Sequence, residues 1–127
     1  TQQIISYYNF LQGKERSGIE RAVVNSVLSR KMIDIEDIKK IVKLDSEQFV
    51  YFDNYKMTAG KSSLNKYEET LNDSNFNQVI QTKKGVLNQV FDISASDWFS
   101  VATKRINLLK TQEDFNLIKD LIKIAPY

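Results

Sequence analysis

The sequence predicts an all-α protein, an antiparallel four-helix bundle whose third helix is broken. Three observations lead there. Apolar residues recur at spacings of three and four along nearly the whole chain, the period of a helix face. The only proline is Pro126, next to the end, so no residue before it removes a helical donor. Capping residues, among them Asp34, Asp73 and Ser94, stand where the apolar period breaks. A chain of 127 residues supplies one domain with a real core, and short connections make neighbouring helices antiparallel.

The first helix is expected over residues 3–31. Its stripe is Ile4, Tyr8, Leu11, Glu15, Gly18 and Ala22, broadened near the far end by Val23, Val24, Val27 and Leu28. The pattern breaks at Met32-Ile33. Asp34 is a good N-cap there, and Glu36 and Asp37 in the first turn complement the helix dipole. The second helix, 35–57, shows a buried side of Ile38, Ile41, Val42, Phe49, Phe52 and Tyr55. Gly60 is expected to close it in the left-handed conformation. The third element splits into 62–72 and 75–83, with Asp73-Ser74 as the cap between them, and 85–93 is expected as the longest loop. Ser94, with Asp97 three residues on, resembles a capping box and starts the last helix, 94–124. Trp98, Ala102, Arg105, Leu109 and Gln112 form its central row. Phe99, Ile106, Leu108, Phe115, Ile118, Leu121 and Ile122 flank it.

Composition narrows the function classes. There is no cysteine and no histidine, which removes thiol nucleophiles, disulfides, zinc-type sites and the usual general base. Asp92, Asp97, Glu113 and Asp114 form no recognisable catalytic pair, and no phosphate loop is present. An enzyme is not expected, nor any cofactor or metal. A net charge of +2 without a polybasic block argues against nucleic acid as partner. No apolar run reaches the roughly 18 residues of a spanning helix. The chain starts at Thr1-Gln2-Gln3, without methionine and directly ahead of a helical pattern, and reads as a piece of a longer protein.

Two regions carry the candidate site. In the first helix Lys14, Gly18, Arg21 and Asn25 share one face at steps of four, three and four. Glycine costs about 1 kcal/mol relative to alanine in a helix interior, so Gly18 marks either a close helix approach or room for a solute. Arginine suits an oxyanion because its planar fork donates several hydrogen bonds. The competing reading is that Glu15 and Glu20 pair with neighbouring cations on a solvated face. In the last helix Arg105 continues an apolar row. Buried, it must meet a carboxylate, carbonyls or an anion; otherwise it snorkels at the edge of the stripe. The run Phe49-Val50-Tyr51-Phe52 covers more than one helix face and marks a second packing surface.

Together the two regions resemble the nitrate- and nitrite-sensing (NIT) domain of bacterial receptors. Members carry a Lys-Glu-x-x-Gly-x-Glu-Arg-Ala segment in a long helix, here Lys14-Glu15-Arg16-Ser17-Gly18-Ile19-Glu20-Arg21-Ala22. They carry a later helix that here reads Trp98-Phe99, Thr103-Lys104-Arg105-Ile106, Leu109 and Glu113-Asp114, with an intervening Gln48…Tyr51-Phe52 helix. The resemblance covers nearly all of the chain and the second half of the family's domain. It implies an all-helical sensor outside the inner membrane, periplasmic, in a membrane-anchored receptor whose outputs include chemotaxis signalling and kinase modules. It implies a small anion, nitrate or nitrite, as ligand, with Arg21 and Arg105 as the residues carried over. Lys14 and Asn25 join them from the shared face of the first helix, and a homodimer is the expected assembly. A helical interaction or dimerisation module without a small ligand is the alternative.

Overall fold

The computed structural model describes residues 1–122. The elements are α1 (Gln2–Arg30), α2 (Ile35–Thr58), α3 (Lys61–Thr70), α4 (Ser74–Leu87) and α5 (Ala95–Asn116), the last continued by a π-helical segment, Leu117–Leu121. No strand occurs among the described residues. The expected end of the last helix at Ile124 lies outside them.

Local chemistry sets the boundaries. Lys31 takes the left-handed conformation, φ 52°, and its N–H and that of Met32 return to the carbonyls of Leu28 and Val27, closing α1. Asp34 and Asp37 then form a full capping box. The Asp37 N–H donates to Asp34 Oδ1 at 2.8 Å, and the Asp34 N–H donates to Asp37 Oδ2 at 3.1 Å. Asp73 and Ser94 cap α4 and α5 through the N–H groups of Asn75 and Asp97.

Alternating direction follows from the contacts. At opposite ends of α1, Gln2 Nε2 donates to the Thr58 carbonyl and Arg30 reaches Asp37, so α2 runs antiparallel to it. Lys14 meets Glu113 and Arg21 meets Thr103, so α5 is antiparallel to α1 as well. On its other side α5 carries α3 and α4, broken apart at Leu71–Asp73. This is the four-helix bundle with a broken third helix. Its packed seams are α1/α2, α1/α5 and α5 with α3 and α4; α2 packs little against α3 and α4.

The interior has two apolar cores. One holds Val24, Val27, Leu28, Ile41, Val79, Val86, Trp98 and Ala102. The other is aromatic, with Phe10, Tyr55 and Tyr67 packed edge to face at centroid distances of 4.8–6.0 Å beside Leu109.

Several expectations need correction. The α1 stripe faces outward: Ile4, Tyr8, Glu15 and Ala22 are exposed, and the buried face is Ser6, Phe10, Gly13, Ser17, Glu20, Val24, Val27 and Leu28. Gly13, not Gly18, makes the close approach, since a Cβ there would meet the Phe52 ring at 2.6 Å, whereas nothing lies within 4 Å of one at Gly18. On α2, Val42 and Phe49 are exposed, Phe49 by 72%, because the buried row runs through Ile41, Leu44, Gln48 and Tyr55. Gly60 is not left-handed. It is the N-cap of α3 at φ −63°, and a Cβ there would lie 2.5 Å from Asp120 Oδ1, so the Asp120 side chain would have to shift. Gly85 lies within α4, which buried Val86 extends to Leu87; the left-handed residue is Gln89, φ 61°. Phe99 and Ile118 are exposed, while the central row of α5 is buried throughout.

Candidate functional site

Midway along the bundle, between the apolar cores, lies a layer of polar side chains from four helices. Glu20 of α1 is at its centre and fully buried. Its Oε1 accepts from Arg105 NH2 of α5 at 3.0 Å. Its Oε2 accepts from Gln48 Nε2 of α2 at 2.7 Å and from Lys83 Nζ of α4 at 3.1 Å. Gln48 Oε1 in turn accepts from Ser17 Oγ at 2.8 Å and from Arg105 NH1 at 3.3 Å. Lys83 also reaches Asp45 Oδ1 at 2.5 Å, out at the α2–α4 edge.

A carboxylate can sit in this interior because each oxygen is met by a cation or an amide. Burial pulls the Arg105 guanidinium below its ordinary pKa, while the adjacent Glu20 charge and its hydrogen bond push it back up. Arg105 therefore meets a carboxylate, the first of the partners its sequence position allowed. Its Nε has no hydrogen-bond partner among the described residues.

Arg21 is placed differently. It is half-buried at the α1/α5 seam, one residue from Glu20 but pointing out of the layer. NH1 donates to Thr103 Oγ1 at 2.9 Å, and the guanidinium lies 4.7 Å from the Phe99 ring centroid. Trp98 Nε1 donates to the Arg21 carbonyl at 2.9 Å, tying this turn of α1 to the start of α5. No other side chain among the described residues accepts from its Nε or NH2. One turn back, the space over Gly18 is open. Lys14 is held by Glu113, which Lys110 also grips at 2.8 Å. Asn25 is half-buried and makes no side-chain hydrogen bond among the described residues.

The four candidate residues thus do not converge. Lys14, Arg21 and Asn25 follow one edge of α1 beside α5, and Arg105 is inside the bundle, bonded to Glu20 and Gln48. Glu20 does not pair on a solvated face, as one reading of the sequence had it. Lys83 is a member of the layer that the sequence did not single out; Gln48, also a member, stands in the sequence only as part of the family resemblance, with no role. Their signals are faint: Gln48 falls in the row Ile41, Leu44, Tyr55, and Lys83 in the row Val79, Val86. A second polar cluster lies towards the aromatic core, where Tyr55 OH donates to Asn116 Oδ1 at 2.8 Å and Gln112 Nε2 donates to the Ser63 carbonyl at 2.9 Å. Burial raises the Tyr55 pKa to about 12, so its hydroxyl keeps its proton. Among the described residues no cluster of side chains suited to hold a metal occurs, and no helix is long and apolar enough to cross a membrane.

The structure is thus an all-helical bundle with a charged layer at mid-height and an aromatic-backed guanidinium at a helix seam. The chain belongs to the nitrate and nitrite sensing family, whose model matches residues 1–117. That family consists of extracytoplasmic sensor domains of signalling receptors, not of enzymes. No curated protein and no solved structure matches the chain.

Proposed function

We propose that this chain is the periplasmic sensing domain of a membrane-anchored receptor and that it binds nitrate or nitrite at the α1/α5 seam, with Arg21 as the principal ligand. The observation that carries this is the state of the Arg21 side chain. Thr103 and Phe99 hold the guanidinium in place, its Nε and NH2 meet no side-chain acceptor among the described residues, and Gly18 leaves room beside it. A preset fork of donors suits a planar, weakly hydrated anion. Asn25 adds an amide one turn on. Lys14 contributes positive potential, although Glu113 already takes its ammonium.

Arg105 acts as a positioning residue in this reading. Its guanidinium is committed to Glu20, the neighbour of Arg21 on α1. An anion that draws Arg21 and the α5 start together moves the backbone that carries Glu20, so the site and the charged layer share one turn of helix. The signal then leaves through α5 towards the membrane, provided the anion binds one helix arrangement better than another.

The test is a thermal melt of the domain in nitrate, nitrite and chloride at matched ionic strength. An anion at 100 times its dissociation constant adds about 2.7 kcal/mol, several degrees in a domain of this size. The expected result is a shift with nitrate or nitrite that chloride does not give, lost in Arg21→Ala with the unliganded melting temperature kept. Equal melts in all three salts would sink the reading.

One set of residues favours the alternative, a dimerisation module. Ile4, Ile5 and Tyr8 on α1 and Phe49, Val50 and Met57 on α2 are all exposed. Sedimentation across a hundredfold range of concentration tests it; a homodimer is expected under either reading, and under the alternative it forms without any salt-specific melt.

A further inference from the structure

Between α2 and α4 lies a groove of about 370 Å³. That volume falls in the range of small-molecule sites. Ile41 and Val42 of α2 and Ile80 and Leu87 of α4 form its apolar walls, and Val42, Ile80 and Leu87 are exposed there. Its polar end holds Lys83 and Lys84 of α4 and Asp45 of α2.

Charge decides what this groove takes. In the ion-paired layer Glu20 and Asp45 balance Arg105 and Lys83. Lys84, exposed beside it, has no carboxylate partner among the described residues, so the polar end of the groove carries one net positive charge. Asp45, largely exposed, spans the gap to reach Lys83, a link between α2 and α4 that solvent can replace. A bare inorganic anion would leave the isoleucine and leucine walls wet. A molecule with an apolar body would cover them, and a single carboxylate would fill the vacant charge.

We propose that the α2–α4 groove is a second ligand site, separate from the Arg21 seam, for an amphipathic monocarboxylate. The carboxylate lies between Lys84 and Lys83 and displaces Asp45 from Lys83. The apolar body lies along Ile41, Val42, Ile80 and Leu87. Occupancy closes the open edge of the bundle over Lys83, and through Lys83 it bears on Glu20.

The experiment is a titration of the isotope-labelled domain with sodium octanoate, followed by amide NMR, with 1-octanol and octylammonium as matched probes. Octanoate is expected to shift the amides of 41–46 and 80–87 saturably, and to bind about tenfold tighter than octanol, the worth of one hydrogen bond to a charged group. Lys84→Gln should remove most of that preference. Asp45→Asn, at an exposed position, should strengthen octanoate binding severalfold by removing the internal competitor. Arg21→Ala should leave octanoate binding unchanged, so failure of this site and failure of the nitrate reading are told apart. Equal affinity for octanoate and octanol, no effect of Lys84→Gln, or shifts confined to other helices would overturn the proposal. So would nitrate shifting the same amides as strongly, which makes the groove a plain anion site. Self-association that protects the same amides without octanoate would overturn it too, by assigning the groove to a second copy.

Discussion

At the scale of single residues, Glu20 carries the charge balance of the interior. Removing one member of a buried pair leaves an uncompensated charge, at a cost of about 3–5 kcal/mol. Arg105→Ala and Glu20→Ala are each expected to destabilise by that much in urea unfolding. A loss under 1 kcal/mol for Arg105→Ala would mean the pair is not formed in solution. The two glycines inside α1 should split in sign. Gly18→Ala adds a methyl to open space and should stabilise by about 1 kcal/mol. Gly13→Ala drives a methyl into the Phe52 ring and should lower the melting temperature. Under the proposed function Gly18→Ala also weakens the nitrate response, because it fills the room beside Arg21. The structure buries both Arg105 and Gln112; the sequence placed them in the central row of the last helix but left open whether Arg105 is buried or snorkels at its edge. It hid Glu20, because a charge within Lys14–Arg21 reads as surface until Gln48 and Lys83, from distant parts of the chain, are placed against it.

At the scale of elements, α1 explains why the wrong face was legible. In its first half the outer stripe, Ile4, Tyr8 and Leu11, is more apolar than the inner one, Ser6, Asn9, Phe10 and Gly13. Hydropathy alone therefore points the helix backwards. The inner polar groups are tolerated because they are bonded, Ser17 to Gln48 and Asn9 to the Ile5 carbonyl. Helix starts were legible, since an aspartate or serine cap acts within three residues. Helix ends were less so: buried Val86 carried α4 past Gly85, and Gln89 took the turn conformation instead. The α1/α5 clip also gives a pH dependence. Burial alone would raise the Glu113 carboxyl, but hydrogen bonds from Lys110 and Lys14 outweigh it and hold the group below its ordinary 4.5. Its stabilising contribution is complete above pH 4.5 and is lost as pH falls through the lower folded-state value. The Glu113→Gln variant should be less stable than wild type at neutral pH, and the difference should shrink as pH falls below about 4, measured by urea unfolding at each pH.

At the scale of the whole molecule, the bundle class was legible and its asymmetry was not. Four helical periods and short connections are enough to specify an up-and-down bundle. That α5 packs tightly on α1, α3 and α4 while α2 leaves an open edge depends on which side chains meet across helices, and no local pattern encodes it. The charged layer has a mechanical consequence. A helix that slid along its axis by one turn, about 5.4 Å, would carry its charge out of the layer and into one of the two apolar cores. The layer is therefore a fulcrum: helices can rock about it, but translation is barred. A displacement of α1 against α5 near Trp98 must return with opposite sense near Asn116, and spin labels at the two ends should report distance changes of opposite sign when the anion binds.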